Sequence, residues 1–417
     1  MRSVGFFGSK VVAATFLMAV FGWGIGFYGP PIFMYAVIQK TGWSVALCSA
    51  AVTVHFLAGT LVVVKLPVLY QRIGLPLTTL SGAMVLSLGV YGWSIATQPY
   101  HLFIAAMLSG FGWVTMGAAA VNAIIAPWFV NKRPAALAMA YNGASIGGVV
   151  FSSAWVYLIG RFGFSATAIG VGIVSTAVIA ALCIKVCRVQ PGQIGQHADG
   201  APDAPPATTQ LPDMPMTSLR GNKQFLTLAT AMSLGLFAQI GLISQLFLLL
   251  AGHVSAATAG LAMGLATASA IVGRLLSGAL ISPGTDRRLL ACLSYACQLA
   301  GCLCLMGIST IPEMLWVGMI LFGLGIGNAT SLPPLIAQSE FSRQQIQRVV
   351  TLIVATAQGC YAFAPLAFGA ARSLLAGEEG EWVILCLAGG IQGLAIVALL
   401  AGSKKARQGL ESHPASP

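Results

Sequence analysis

The residue with the clearest chemical potential is Arg274, which lies in an apolar run, GLAMGLATASAIVGRLLSGALI, over residues 260–281. A run of this length and composition is typical of a membrane-spanning helix, which needs about 20 residues to cross about 30 Å of hydrocarbon. A guanidinium does not deprotonate in proteins, so burial cannot neutralise it. A charge at bilayer depth is costly and usually marks a functional site.

Carboxylates that could pair with Arg274 are scarce. The chain has ten acidic residues, and the apolar runs given below leave all of them in loops, tails or helix ends. We therefore expect Arg274 to lack an acidic partner at membrane depth and predict that it binds an anionic substrate. The competing interpretation is structural, because the side chain could reach the interface and bind helix-end carbonyls or lipid phosphate.

Other polar residues in the apolar runs could hydrogen-bond the rest of a substrate. The main substrate-binding candidates are Tyr28, Asn122, Gln239, Asn328, Gln358 and Tyr361, with Asn142 and Ser145 considered beside them. Tyr28 precedes Pro30-Pro31, where a broken helix would free backbone groups. His55 is the one histidine at clear membrane depth and is a candidate for proton coupling. For every candidate the alternative is a packing hydrogen bond, and for His55 a neutral ring bonded to a backbone carbonyl.

Composition excludes most other classes of protein. The 417 residues are 57% hydrophobic and 7% charged, whereas soluble domains carry about 25% charged residues. The net charge of +11 comes from basic residues scattered between apolar runs, which argues against nucleic-acid binding. The nine cysteines lie mostly in apolar runs, and we expect no disulfide, metal or cofactor. Enzyme motifs such as a P-loop or HExxH are missing, so we predict that the protein is not an enzyme.

Twelve apolar runs predict an all-α polytopic membrane protein. They lie near residues 11–38, 44–68, 76–97, 101–127, 135–160, 164–186, 224–250, 255–281, 288–309, 314–337, 347–373 and 381–402. A segment rich in Pro, Ala, Asp and Thr separates the sixth run from the seventh and reads as a solvated linker. We therefore predict a six-helix bundle at 1–186, a disordered cytoplasmic linker at 187–223, a second six-helix bundle at 224–403 and a cytoplasmic tail at 404–417.

The basic residues predict the orientation. If the N-terminus is cytoplasmic, sixteen of the 21 basic residues fall on the cytoplasmic side. The opposite loops hold only Lys40, Arg161 and Arg372. This asymmetry predicts cytoplasmic termini in the plasma membrane, which would be the inner membrane of a bacterium.

The two halves also resemble each other. Gly110, Gly112 and Gly117 in the fourth run parallel Gly323, Gly325 and Gly327 in the tenth. Small residues at this density let helices approach closely, and paired repeats are typical of transporters with alternating access. The halves are therefore predicted to be pseudo-symmetric.

Three motifs carry a family resemblance. They are Gly42-Trp43-Ser44, then Trp128-Phe129-Val130-Asn131-Lys132-Arg133 with Gly143-Ala144-Ser145-Ile146-Gly147, and Gly273-Arg274. With twelve spans in a 6 + 6 arrangement, the chain resembles the major facilitator superfamily, and these motifs resemble its branch of monocarboxylate porters and oxalate–formate exchangers. The resemblance implies that Arg274 anchors a substrate carboxylate. It also implies gating or packing roles for Arg72, Lys132, Arg133, Gly143, Ser145 and Gly147.

The chain departs from the family pattern in places that bear on its substrate. The usual acid of the loop after span 2 is Gln71 here, and an oxalate exchanger's second cation in span 11 is replaced by Gln358 and Tyr361. A single cation favours a singly charged acid over a dianion. We thus predict a monomeric secondary transporter of small monocarboxylates in the lipid bilayer, linked to protons or a counter-ion.

Two other functions are less consistent with the sequence. An efflux transporter of the same fold for drugs or other amphipathic molecules is disfavoured because the spans lack the carboxylates that handle cations. A membrane sensor is disfavoured because neither the linker nor the tail is long enough for a signalling domain.

Overall fold

The computed structural model describes residues 6–200, 219, 221–281, 285–375 and 377–403, and the predicted tail at 404–417 lies outside these ranges. Among the described residues, twelve helical segments are long and apolar enough to cross a membrane. We number them spans 1 to 12: Gly8–Thr41, Val45–Ile73, Leu75–Ile95, Pro99–Ile125, Arg133–Phe162, Phe164–Cys187, Lys223–His253, Ala256–Leu280, Arg287–Met306, Met314–Glu340, Arg348–Ser373 and Glu378–Ala401. Each predicted run overlaps one of these spans, so the predicted all-α fold is confirmed.

Four spans are interrupted near their middle or at one end. The helices within them are Gly8–Gly26 and Gly29–Thr41 in span 1, Pro99–Trp113 and Ala118–Ile125 in span 4, Met314–Ile326 and Asn328–Glu340 in span 10, and Arg343–Tyr361 and Ala364–Ser373 in span 11. Pro30 and Pro365 lie in the first turn of the second helices of spans 1 and 11. Proline suits that position because its missing N–H would be unpaired there anyway. The break in span 1 agrees with the prediction from Pro30-Pro31.

The Gly42-Trp43-Ser44 motif ends one span and begins the next. Gly42 takes a left-handed conformation, with φ of 70°, and its N–H bonds the carbonyl of Ile38. Glycine is favoured here because it adopts positive φ without a steric penalty. Two residues later the Ser44 hydroxyl accepts a hydrogen bond from the N–H of Leu47 and caps span 2.

The chain forms two compact units. The first comprises Met1–Thr209 with Leu250–Gly264, and the second comprises Gln210–Leu249 with Leu265–Pro417. In the first, span 1 packs on span 5, and span 4 packs on spans 2 and 3. In the second, span 9 packs on spans 10 and 12. The start of span 8 belongs to the first unit because Gly260 lies against the backbone of Ser152, an exchange that the predicted halves do not include.

Two of the three glycine pairs make corresponding contacts in the two units. In span 4, Gly110 lies against the backbone of span 2, and Gly112 lies against the backbone of span 3. In span 10, Gly323 lies against the backbone of span 8, and Gly325 lies against the backbone of span 9. A Cβ atom at any of these positions would overlap its neighbour, so each glycine permits a close helix crossing. The shared pattern agrees with the predicted pseudo-symmetry.

Part of the predicted linker has a defined conformation. Residues 191–200, which we call the strap, form two short 3-10 turns, Pro191–Ile194 and Ala198–Gly200. The strap lies within the first unit and bonds the loop between spans 4 and 5. This differs from the disorder predicted for 187–223, because side-chain bonds replace the hydrophobic core that the segment lacks. Residues 201–218 lie outside the described ranges.

Candidate functional site

Arg274 lies where span 8 crosses the break in span 10. A Cβ atom on Gly327 would lie 3.1 Å from Nη2 and 3.2 Å from Nε of Arg274, so the guanidinium occupies the space that the missing side chain leaves. Gly273 lies against the backbone of Leu324, which brings the two spans together. The side chain is half-buried. Two glycines therefore build the position of this arginine.

Arg274 is not an isolated cation. Arg274 has at least one non-covalent partner in the structure. That Arg274 lacks an acidic partner at membrane depth stays a prediction. A fixed charge that is held and half-exposed remains suited to binding an anion.

Asn328 lies directly after Gly327 and ties three spans together. Its Nδ2 donates to the hydroxyls of Ser277 in span 8, at 2.8 Å, and Ser294 in span 9, at 3.0 Å. The residue is buried, and its Oδ1 has no hydrogen-bond partner among the described residues. Asn328 also lines a small cavity in the second unit. The structure thus brings Asn328 and Arg274 together, with the amide group largely engaged in packing.

The other candidates of the second unit lie on spans 7 and 11. Gln239 is buried in span 7, and its Oε1 has no hydrogen-bond partner among the described residues. Gln358 is half-buried and lies one turn before the break in span 11. Tyr361 ends the first helix of that span. The positions of Gln358 and Tyr361 place polar groups beside a helix break, where backbone groups are freed.

In the first unit, Asn122 is part of a hydrogen-bonded group. Its Nδ2 donates to the Tyr141 hydroxyl and, at 2.9 Å, to the carbonyl of Ala118. The Tyr141 hydroxyl donates to the same carbonyl at 3.3 Å, and its ring contacts Trp23 edge-on with centroids 6.3 Å apart. Tyr141 was missed at the sequence level, although its place between Arg133 and Gly143 is close to the motif. The contact joins spans 4 and 5.

Tyr28 and His55 both lie at the break in span 1. Tyr28 is buried and begins the second helix of the span. His55 Nε2 lies 2.8 Å from the carbonyl oxygen of Gly26, which can only accept, so this nitrogen carries the hydrogen. His55 Nδ1 lies 2.8 Å from the Ser109 hydroxyl. Both ring nitrogens are engaged in a packed interior, which matches the structural alternative and gives no support to proton coupling.

The glycine motif of span 5 lies against span 1. Gly143 lies against the carbonyl of Phe16, and Gly147 lies against the carbonyl of Val20. Ser145, between them, is buried and has a partner in the structure. Only glycine permits this approach, so these residues set the crossing of spans 1 and 5.

The basic gating candidates lie at the predicted cytoplasmic end of the first unit. Arg72 and Lys132 are exposed, and Arg133 is half-buried. The backbone N–H of Lys132 donates to Asp199 of the strap at 3.2 Å. The composition of the linker gave no indication that one of its carboxylates would contact this loop.

A buried ion pair at the predicted cytoplasmic end of the second unit was also missed. Arg288, at the start of span 9, is 1% exposed and contacts both carboxylate oxygens of Glu340, which ends span 10. The distances are 2.6 Å to Oε1 and 2.8 Å to Oε2. In the sequence, Arg287-Arg288 before an apolar run indicates charges in a loop. Only Glu340, at the end of another helix, indicates that an acidic partner is available.

Both the sequence and the fold are similar to those of known proteins. The sequence matches the Major Facilitator Superfamily over residues 11–365. Among solved structures, the chain is similar to a bacterial homologue of the human lysosomal transporter Spinster in an inward-facing, unoccupied conformation, with a TM-score of 0.71, 14% identity and 100% of each chain covered. It is also similar to the nucleoside transporter NupG, with a TM-score of 0.67, 14% identity, and 97% of this chain and 100% of that chain covered. No curated protein matches.

At 14% identity the solved structures show the fold and say nothing of the cargo. The family match spans most of the chain and agrees with the twelve apolar helices. It therefore identifies a multi-pass membrane protein. The chain belongs to the major facilitator superfamily.

Proposed function

We propose that the protein is a secondary active transporter of small organic anions, most specifically monocarboxylates, and that its transport is linked to protons. The observation that carries the proposal is Arg274, a permanent cation six residues from the end of span 8. Six helical residues correspond to about 9 Å, which supports a position inside the hydrocarbon layer. An anionic cargo is the simplest explanation for the free-energy cost of keeping this charge in the membrane.

The guanidinium suits a carboxylate because its planar donors match the two oxygens. Its packing against Gly327 supports this role, because a fixed guanidinium needs little further ordering when it binds. Binding would also neutralise the charge. We infer that neutralisation lowers the free-energy barrier to alternating access, so that the loaded carrier changes state faster than the empty one.

The other polar candidates would contact the rest of the acid. The residues proposed for this role are Asn328, Gln239, Gln358, Tyr361, Asn122 and Tyr28. Oδ1 of Asn328 and Oε1 of Gln239, which have no hydrogen-bond partner in the described part of the chain, support this role, because a buried acceptor gains free energy when a donor reaches it. The orientation with both termini cytoplasmic, and a monomeric state, are part of the same proposal.

Uptake into proteoliposomes tests the proposal. The purified protein is reconstituted, and labelled propionate, lactate and benzoate are offered with and without an inward proton gradient. Succinate, uridine and ethidium are offered in parallel as a dianion, a nucleoside and a cationic drug. We expect saturable uptake of one or more monocarboxylates that the gradient accelerates. Uptake of ethidium or uridine, with no uptake of the acids, would overturn the proposal and, for ethidium, favour drug efflux.

A further inference from the structure

The strap meets the loop between spans 4 and 5 through one carboxylate. Asp199 Oδ2 accepts from the N–H of Asn131 at 2.7 Å, and Oδ1 accepts from the N–H groups of Val130 and Lys132 at 3.2 Å each. The N–H of Asp199 donates in turn to the carbonyl of Trp128 at 2.9 Å. A single side chain thus satisfies three consecutive backbone donors.

These donors lie at the start of span 5: Lys132 is its N-cap residue, and Val130 and Asn131 directly precede it. Span 5 starts at Arg133, and the preceding Lys132 makes no side-chain capping bond. The first N–H groups of a helix have no intrahelical acceptor. Two basic residues beside the positive end of the helix add an unfavourable charge. Asp199 supplies both the acceptor and the opposing charge from 67 residues away.

The strap also holds the start of span 1. The side-chain carbonyl of Gln196 accepts from the N–H of Phe7 at 2.9 Å. Phe6 contacts Phe129 edge-on, with ring centroids 5.5 Å apart. The strap therefore joins the first residues of span 1 to the loop that follows span 4.

The backbone of Asp199 shows that the contacts are enforced. Its φ is 60°, and it is the one non-glycine residue with positive φ in the part of the chain that the structure describes. Such a conformation persists only where surrounding interactions fix it. A freely solvated linker would have no reason to hold it.

We propose that Asp199 is a positioning residue of the transporter and that the strap clamps the ends of spans 1, 4 and 5 into one rigid group. In the second unit the Arg288–Glu340 pair has a similar effect, because it joins the ends of spans 9 and 10. The clamp makes part of the linker a component of the moving machinery. The proposal stands on the strap contacts and does not depend on the identity of the cargo.

The clamp acts as a permanent element and not as a pH switch. Burial raises the pKa of Asp199, but bonds from the N–H groups of Asn131, Lys132 and Val130, together with the charge of Lys132, lower it below its usual range. A lowered pKa means that the stabilisation is present above the ordinary pKa of an aspartate and is lost as pH falls through the lowered value. The carboxylate is therefore ionised at any cytoplasmic pH.

Hydrogen exchange with mass spectrometry on the full-length protein tests the clamp. In Asp199→Ala, we expect the amides of residues 130–132 to exchange about tenfold faster or more, since bonds to a charged group contribute at least one decade each. Asp199→Asn keeps the shape and tolerates the left-handed backbone, so it should restore part of the protection. Asp286→Asn is the matched control, because Asp286 caps span 9 in the second unit.

The outcomes separate a local clamp from general instability. Unchanged exchange at 130–132 in Asp199→Ala overturns the proposal, as does an equal increase in the Asp286→Asn control. With the acid that gives the highest uptake in the panel above, Asp199→Ala should lower the maximal rate several-fold and leave the half-saturation concentration unchanged. A parent-like rate with an opened loop would refute the positioning role. If no acid is transported, the proposed function fails while the exchange result still decides the clamp.

Discussion

The buried pair of Arg288 and Glu340 gives the sharpest stability prediction. Beyond Glu340, the guanidinium donates to the carbonyl of Gln224 at 3.0 Å, the hydroxyl of Thr227 at 3.1 Å and the carbonyl of Leu399 at 3.2 Å. The pair therefore joins spans 7, 9, 10 and 12. In Glu340→Ala these neutral acceptors remain, but the charge that balances a 1% exposed arginine is lost.

The magnitude follows from the burial. Removing one partner of a buried ion pair costs about 3–5 kcal/mol, because the other charge stays desolvated. The remaining acceptors offset part of this cost, so we expect a loss of about 3 kcal/mol in the free energy of unfolding. At about 2–4 °C per kcal/mol for a unit of this size, the unfolding midpoint should fall by about 6–12 °C. Glu340→Gln keeps one acceptor in place and should lose less.

Thermal unfolding of the purified protein in detergent measures the effect. A thiol-reactive dye reports unfolding as a rise above the signal of the exposed Cys360 and Cys386, because Cys292 and Cys302 are buried in the same unit. All variants are heated at one scan rate, since irreversible unfolding makes the midpoint rate-dependent. The control is Glu379→Ala, an exposed acid that should shift the midpoint little. A Glu340→Ala midpoint equal to that of this control would refute the reasoning.

Two further predictions concern packing and the strap. Gly110→Ala should lower the unfolding midpoint, at a cost of about 1–3 kcal/mol, because its Cβ would overlap the backbone of His55. Gly160→Ala, with nothing within 4 Å of the added Cβ, should leave the midpoint unchanged or raise it, and equal losses would contradict the packing account. Amide protection at residues 130–132, corrected for intrinsic exchange, should persist from pH 8 to pH 5 because the pKa of Asp199 is lowered. Loss of that protection between pH 7 and pH 5 would contradict the assigned ionisation.

The sequence predicted the spans because hydropathy is a local property. Each span is a continuous apolar run, and Pro30-Pro31 marks the break in span 1 through its missing N–H groups. The break at Gly327 was not predicted. A glycine in an apolar run is equally compatible with a continuous, closely packed helix, and only the structure shows the guanidinium of Arg274 beside it.

The missed features depend on pairs of residues that are distant in sequence. Arg288 and Glu340 are 52 positions apart and lie at the ends of different helices, so each looked like a loop charge. The strap was missed because its composition suggests solvation, whereas its order depends on a few bonds that Asp199 and Gln196 make with distant segments. Hydrophobic composition cannot reveal an element that is held by polar contacts alone.

The most direct test of the central claim is uptake of a labelled monocarboxylate by Arg274 variants in proteoliposomes. We predict that Arg274→Gln lowers uptake by at least about tenfold, through loss of a charge-assisted bidentate pair. Arg274→Lys keeps the charge without the planar fork and should be intermediate. The control is Arg161→Gln, which removes an exposed arginine from the C-terminal end of span 5 and should transport at the parent rate. Parent-like uptake by Arg274→Gln, with unchanged preference among the acids, would contradict the account.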